Sequence, residues 1–483
     1  MAVHIRDIPT VMKKNSLAKA AEIPLSELQF LYWLTRLVYP KTKRINSTDR
    51  IRLNGLLDVS MLNKALADIC KNNPILSYHI AHYAPVQREQ NLPAPHVKHI
   101  DISHLTPAQQ ERQLQLSIYR LQHVSWQKGK HLLQLNFFVL SGNNSELQIA
   151  VSPFISDPQS LTLLFSILSE YYLTYKNNEK IRFKRDRFQF KDFIGRGILH
   201  PKILKQKMAF WESYLQDTSF PDFPKPLITS IKKQCNTVYI NIAEEHVERL
   251  QIFCHTHAIR ITDSLCAAMG MGLTDYLTEP KKLVVTLINS SREDNIQQQE
   301  LGLFVRSDLV KIDLTNSPGL LALSQRVHQS VAETAPYQAC PQIIKLGYLV
   351  KRFWKAKKIG DAFIGFCTWI YARCMGKYKL DHRVLRMLIR VFLTRKNHYF
   401  IVNINIPNNF MVKTRPSKLF NLELNQIKPY QPDKIIDKNT LNLWWVRNRN
   451  HELNLVLSGN LEAAFLQKLG KNIIGHITLP VKD

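Results

Sequence analysis

Apolar side chains recur at two different spacings along this 483-residue chain. Residues 25–34 (LSELQFLYWL) carry them at helical spacing, with Ser26 where an N-cap belongs. From Ile51, IRLNGLLDVSMLNKALADICKNNPIL reads as a short strand ending at Asn54-Gly55. A helix follows in which Leu62, Ala65, Leu66 and Ile69 share one face. Residues 131–140 (HLLQLNFFVL) and 146–154 (ELQIAVSPF) are strand-like, and the turn formers Ser141-Gly142-Asn143-Asn144-Ser145 between them predict a hairpin. Leu161, Leu164, Leu168 and Tyr172 predict the next helix. The polar, basic stretch 177–191 (NNEKIRFKRDRFQFK) marks a boundary between two halves. Residues 400–407 (FIVNINIP) and 451–459 (HELNLVLSG) supply late strands.

Composition narrows the class. The chain is 45% hydrophobic, 21% charged and 10% aromatic, which is globular, and its length predicts two lobes of roughly 200 residues each. The longest run with spanning character, Ile359 to Tyr371, contains Asp361 and is too short to cross a bilayer. The first 24 residues mix acids with bases and lack a continuous apolar stretch, which predicts a cytosolic chain without a signal peptide. Seven cysteines without a CxxC spacing point to reduced thiols, neither a zinc site nor a disulfide framework.

Sixty-five Lys and Arg against thirty-eight Asp and Glu leave a formal charge of +27, which favours anionic partners. Thirteen bases and two acids lie between Lys351 and Lys396. Lys351, Arg352, Lys355, Lys357 and Lys358 interleave there with Phe353, Trp354, Ile359, Phe363, Phe366, Trp369 and Ile370. Further on, Arg383, Arg386 and Arg390 stand opposite Leu385, Leu388, Ile389 and Phe392. The pattern predicts two basic amphipathic helices. Three roles are open to them: ordinary packing on the core, contact with an anionic membrane surface, or docking of an acidic partner protein. No helix-turn-helix, zinc finger, RNA-recognition or KH signature accompanies the charge, so nucleic acid is not expected.

Residues 147–161 read LQIAVSPFISDPQSL, a strand-like run that breaks at Ser152-Pro153 and reaches an acid at Asp157. The frame resembles the HHxxxDG signature of nonribosomal peptide synthetase condensation domains and the wider CoA-dependent acyltransferase superfamily. Ser152 and Pro153 stand where the two histidines belong, and Pro158 replaces the motif's glycine. Further matches follow in chain order. The opening helix with Ser26 and Gln29 is similar to the family's, as is the strand, glycine, helix unit from Ile51, where Asn73 and Ser77 hold the places of a His and an Arg. Residues 208–217 (MAFWESYLQD), 261–277 (ITDSLCAAMGMGLTDYL), 283–294 (LVVTLINSSRED) and 301–314 (LGLFVRSDLVKIDL) also match, with Arg306 in the usual Asn place. Tyr337-Gln338-Ala339-Cys340-Pro341 resembles a Gln-Asp-x-Pro step.

The resemblance implies an α+β fold of two chloramphenicol-acetyltransferase-like lobes, each a mixed β-sheet flanked by helices, in a V-shaped pseudo-dimer with an interlobe channel. Residues 1–185 would form the lobe carrying the signature and 186–483 the second lobe, with the basic block at 351–396. It also implies that Asp157 pairs with Arg292 across the lobe junction. In the family the second histidine acts as general base or positions the acceptor. Proline offers no group that accepts a proton, so the motif positions Ser152, Pro153 and Asp157 leave the catalytic residue unassigned. Pro158 lacks an N–H and has a fixed φ, which predicts a different loop path. His131 falls on the sheet face of Pro153 and is a candidate replacement base. Ser152 lacks the glycines of a nucleophile elbow, and His255-Thr256-His257 lacks a third ligand, so no metal is expected.

Two functions remain open. One is an acyltransferase moving an acyl group from a carrier-protein or CoA thioester to an amine or hydroxyl, since an aligned, unprotonated amine attacks a thioester by proximity alone. The other is a catalytically inactive relative that binds a carrier protein, lipid or membrane partner. Either way no cofactor is expected beyond a phosphopantetheine-linked or CoA donor. The expected partners are an acyl or peptidyl carrier protein and an anionic membrane surface, and the chain is expected to be monomeric and cytoplasmic, peripheral to the membrane if the basic block binds lipid.

Overall fold

The structure, a computed structural model, describes residues 22–38, 46–81, 84–124, 130–181, 189–195, 199–224, 227–228, 236–277, 279, 281–292, 295–351, 357–375, 401–406, 418–425, 440–447 and 453–478. Two six-stranded mixed sheets organise them. The first runs Lys418–Leu419, Leu422–Asn425, Ser47–Asn54, Asn144–Val151, Leu133–Val139, Lys98–Asp101. The second runs Val305–Asp313, Lys282–Ser290, Ile401–Asn405, Thr440–Arg447, Leu453–Gly459, Asn236–Ile242. Helices cover both sheets. The predicted hairpin forms between Leu133–Val139 and Asn144–Val151, with Leu133 opposite Val151. Its turn needs left-handed backbone, which Gly142 (φ 67°) and Asn143 (φ 57°) supply.

The core is less divided than the two sheets suggest. One apolar cluster joins Trp33, Leu53, Leu66, Phe137, Ile149 and Leu168 from early in the chain to Trp211, Phe304, Ile344, Ile364 and Phe420 from later on. A second fills the face of the other sheet with Leu265, Val285, Ile312, Ile404, Leu443, Trp445 and Leu455. Leu424 and Asn425 pair antiparallel with Leu53 and Arg52. Residues 418–425 fall inside the range expected for the second lobe, yet they complete the first sheet. The crossing has a physical cause: the outer edge of Ser47–Asn54 would otherwise expose unpaired backbone groups, and a late strand covers it.

Part of the basic block is described. Lys357–Met375 is a helix that buries Phe363, Ile364, Cys367, Ile370 and Tyr371 and leaves Trp369 37% exposed. Lys351 ends the preceding helix, where its ammonium meets Glu212 at 2.6 Å and Asp361 at 2.7 Å. It is therefore engaged within the fold. Arg352, Lys355, Arg383, Arg386 and Arg390 lie outside the described residues. Lys357 and Lys358 open the Lys357–Met375 helix. No described helix is long and apolar enough to cross a membrane.

Candidate functional site

The signature segment leaves the sheet after Val151 as a hydrogen-bonded turn. Ser152 N–H donates to Leu132 O (2.9 Å), extending the hairpin ladder. The Ser152 carbonyl then accepts from Ile155 N–H (3.0 Å) and Ser156 Oγ (3.2 Å). Ser152 is buried, and its hydroxyl accepts from Phe154 N–H. Pro153 is half-buried at the outside of the turn. Gln29 reaches the loop from the opening helix, donating through Nε2 to Phe154 O at 2.6 Å. A capping box fixes that glutamine: Ser26 N–H donates to Gln29 Oε1 and Gln29 N–H to Ser26 Oγ.

Asp157 and Arg292 meet, both side chains almost wholly buried. Arg292 Nη1 donates to Asp157 Oδ2, which also accepts from Phe304 N–H (3.0 Å). Asp157 Oδ1 accepts from Ser160 N–H (2.8 Å), making Asp157 the N-cap of the helix Pro158–Lys176. The rest of the guanidinium is used as well. Nε donates to Gln297 O, and Nη2 to Ser160 Oγ and Glu300 O, while the plane lies 4.3 Å from the Phe304 ring centroid. Ser160 Oγ is in turn bonded to both the N–H and the carbonyl of Gly302. A buried pair held by this many hydrogen bonds avoids the desolvation penalty that makes isolated buried charges so destabilising. Pro158 takes the first helical position, where an N–H has no acceptor and a φ near −65° is helical. In this structure it serves as helix starter.

The remaining candidates are structural in their contacts. His131 Nε2 donates to Pro93 O (2.7 Å), so its Nδ1 faces Ser77 Oγ (3.2 Å), and both ring nitrogens are occupied. Asn73 closes the helix Val59–Asn72, with its amide and its backbone N–H both donating to Ile69 O. Arg306 is partly exposed and pairs with Asp308 at 3.0 Å. His257 follows the end of the helix Glu244–Thr256 with its ring against Phe253. Cys70, Cys254, Cys266, Cys340 and Cys367 are buried. Burial pushes the thiols of Cys70, Cys340 and Cys367 up to about 12, away from nucleophile chemistry.

Beside this junction lies a cavity of about 80 Å³, lined by the first turn of the helix Glu27–Val38, by residues 303–307 and by the helix Gln342–Lys351. Two ionisable groups line it that the sequence pattern did not single out. Burial pushes the Glu27 carboxyl up to about 7, opposed by Lys345 and reinforced by Asp308. Burial pulls Lys345 below the usual lysine range, opposed by Glu27. Its ammonium donates to Ser307 O, Gln338 O and Gln338 Oε1 at 3.0–3.3 Å. The one sequence signal for Lys345 is a lone lysine in the apolar run IIKLGYLV. Glu27 reads only as an acid in a first helical turn.

The condensation-domain family model matches residues 19–352. A linear gramicidin synthase chain of Brevibacillus parabrevis is 23% identical over 342 residues, covering 68% of this chain and 7% of that protein. The chain thus spans a small fraction of the length of that relative. Among solved structures, the X-domain from teicoplanin biosynthesis superposes with a TM-score of 0.67 at 17% identity, covering 96% of both chains. The first condensation domain of the calcium-dependent antibiotic synthetase, in complex with a substrate analogue, gives 0.66 at 13% identity over 95% of this chain and 96% of that one. With its sheets, its signature loop and most of its length matched, the chain belongs to the condensation-domain family.

Proposed function

We propose that this protein is a condensation-type acyltransferase that moves an acyl group from a carrier-protein or CoA thioester to an amine, without a histidine base. One observation carries this reading. The signature loop has lost both histidines, yet Gln29 holds it from one side and Arg292 and Phe304 from the other. A loop kept in place at the junction after its base is gone serves alignment of two reactants. In the reaction the amine nitrogen attacks the thioester carbonyl, the C–N bond forms, the C–S bond breaks, and the departing sulfur takes the amine proton. An unprotonated amine needs no base for the attack, whereas an alcohol does, so the amine is the favoured acceptor.

A second reading rests on Pro153 and the occupied ring of His131: the fold would recruit a protein without condensing anything. One of the structures similar to this chain is a complex of the teicoplanin X-domain with OxyB. Purified protein given an acyl thioester and a primary amine distinguishes the two. Amide formation that rises with the unprotonated fraction of the amine and falls in Asp157→Asn supports transfer. Absence of turnover together with saturable binding of a carrier protein supports recruitment.

A further inference from the structure

The polar atoms around the interlobe cavity do not balance. Lys345 uses all three of its hydrogens on Ser307 and Gln338, and the Gln338 amide donates to Leu309 O. Among the buried side-chain atoms of this lining, those without a partner are acceptor oxygens, while Arg306, also on the lining, is exposed and pairs through Nε with Asp308. Glu27 Oε1 and Gln342 Oε1 are buried, and both residues line the cavity. Neither oxygen receives a hydrogen bond from the described residues, and Gln342 is 94% buried, with 6% exposed. Asp308, whose charge reaches Glu27, also has one oxygen without a donor among the described residues. Buried acceptors left unmatched are destabilising by about 1–3 kcal/mol each and require a donor. At these two buried oxygens a second carboxylate or a phosphate would add acceptors where donors are missing.

We infer that the cavity bounded by Glu27, Gln342 and Lys345 binds a small primary ammonium group, its N–H bonds directed at Glu27 Oε1 and Gln342 Oε1. Apolar Leu28, Leu31 and Leu303 line the same space and suit a short aliphatic stem. The volume admits a handful of heavy atoms, since one water needs about 10–15 Å³ of such space. A cation arriving here favours ionised Glu27, whose carboxyl otherwise holds its proton near neutrality, and that attraction works against Lys345 and Arg306 on the same lining. This inference rests on the acyltransferase reading for its ligand class alone: an ammonium is not a nucleophile, so an acceptor bound here attacks only after it gives up a proton, and binding alone tests the pocket.

The experiment titrates the full chain with ethylamine, and with propionate and propanol as anionic and neutral probes of similar size, following binding by saturation-transfer NMR. The expected result is saturable binding of ethylamine alone, weakened at least about fivefold, or about 1 kcal/mol, in both Glu27→Gln and Gln342→Met. Both variants preserve side-chain volume, and matched circular dichroism of each establishes that it folds. No saturable ethylamine binding up to about 50 mM, beyond the millimolar range expected of so small a ligand, overturns the inference. So does a loss of less than fivefold in either variant, or equal binding of propanol, which would mean that water alone fills the site. Ethylamine binding without thioester turnover would leave the pocket standing and remove the transfer reading, and turnover without binding the reverse.

Discussion

Arg292 directs its guanidinium into a buried site, so its removal leaves Asp157 charged and buried with two backbone donors. Arg292→Ala is expected to lower the unfolding free energy by about 3–5 kcal/mol. Arg88→Ala, which removes the exposed pair with Glu22, is expected to cost less than about 1 kcal/mol. Chemical denaturation of the two variants measures both. Glu27 gives a pH dependence of the opposite kind from an ordinary paired carboxylate. Its folded-state pKa of about 7 lies above the unfolded value of 4.5, so the folded chain holds the extra proton between them. That contribution is full below 4.5 and is lost as pH rises through about 7. Thermal melts across this window should show stability falling with pH in the native chain, and Glu27→Gln should remove that part of the slope. Asp157 and Arg292 were legible in the sequence because their motifs keep chain order. Glu27 and Gln342 were not, because their chemistry comes from facing one another across a cavity built by two distant helices.

The helix Pro158–Lys176 shows how local chemistry survives a degraded motif: Asp157 caps it, Pro158 starts it, and Leu161, Leu164, Leu168 and Tyr172 bury one face as their spacing predicted. Strand Asn144–Val151 shows the opposite. Its alternation suggests one face for solvent, yet Glu146 and Gln148 are fully buried beneath the helix Pro107–Gln122, where Arg50 and Arg52 meet Glu146 and Glu111. Polarity in the sequence could not reveal a covering helix whose own acid supplies the partner. The helix Lys357–Met375 divides the two cases: its aromatic and aliphatic face is core, as the ordinary-packing role predicted for that face, and Trp369 stays exposed. If the basic positions around its start bind anionic lipid, liposome flotation should be salt-sensitive and weaken when Lys355, Lys357 and Lys358 become Glu. Unchanged flotation removes the membrane role.

For the whole molecule, the residues that join the two sheets matter more than a boundary between halves. Phe420 sits 1% exposed against Tyr172, its N–H donating to Ser169 Oγ at 2.6 Å, in the segment that returns to the first sheet. Phe420→Ala is expected to cost about 3–5 kcal/mol, lowering the melting temperature, although its neighbours in sequence belong to the second half. Because periodicity, caps and turn residues act over a few positions, the amino-acid order was enough for the element types, the order of the motifs and the family they resemble. It also determined that no histidine stands in the signature loop, since that is a matter of identity alone. Which late strand closes the first sheet, and which buried acceptors lack donors among the described residues, came from the packed chain alone. Those depend on contacts between segments hundreds of residues apart, where desolvation and pairing are set by whatever the fold brings into the same few ångströms.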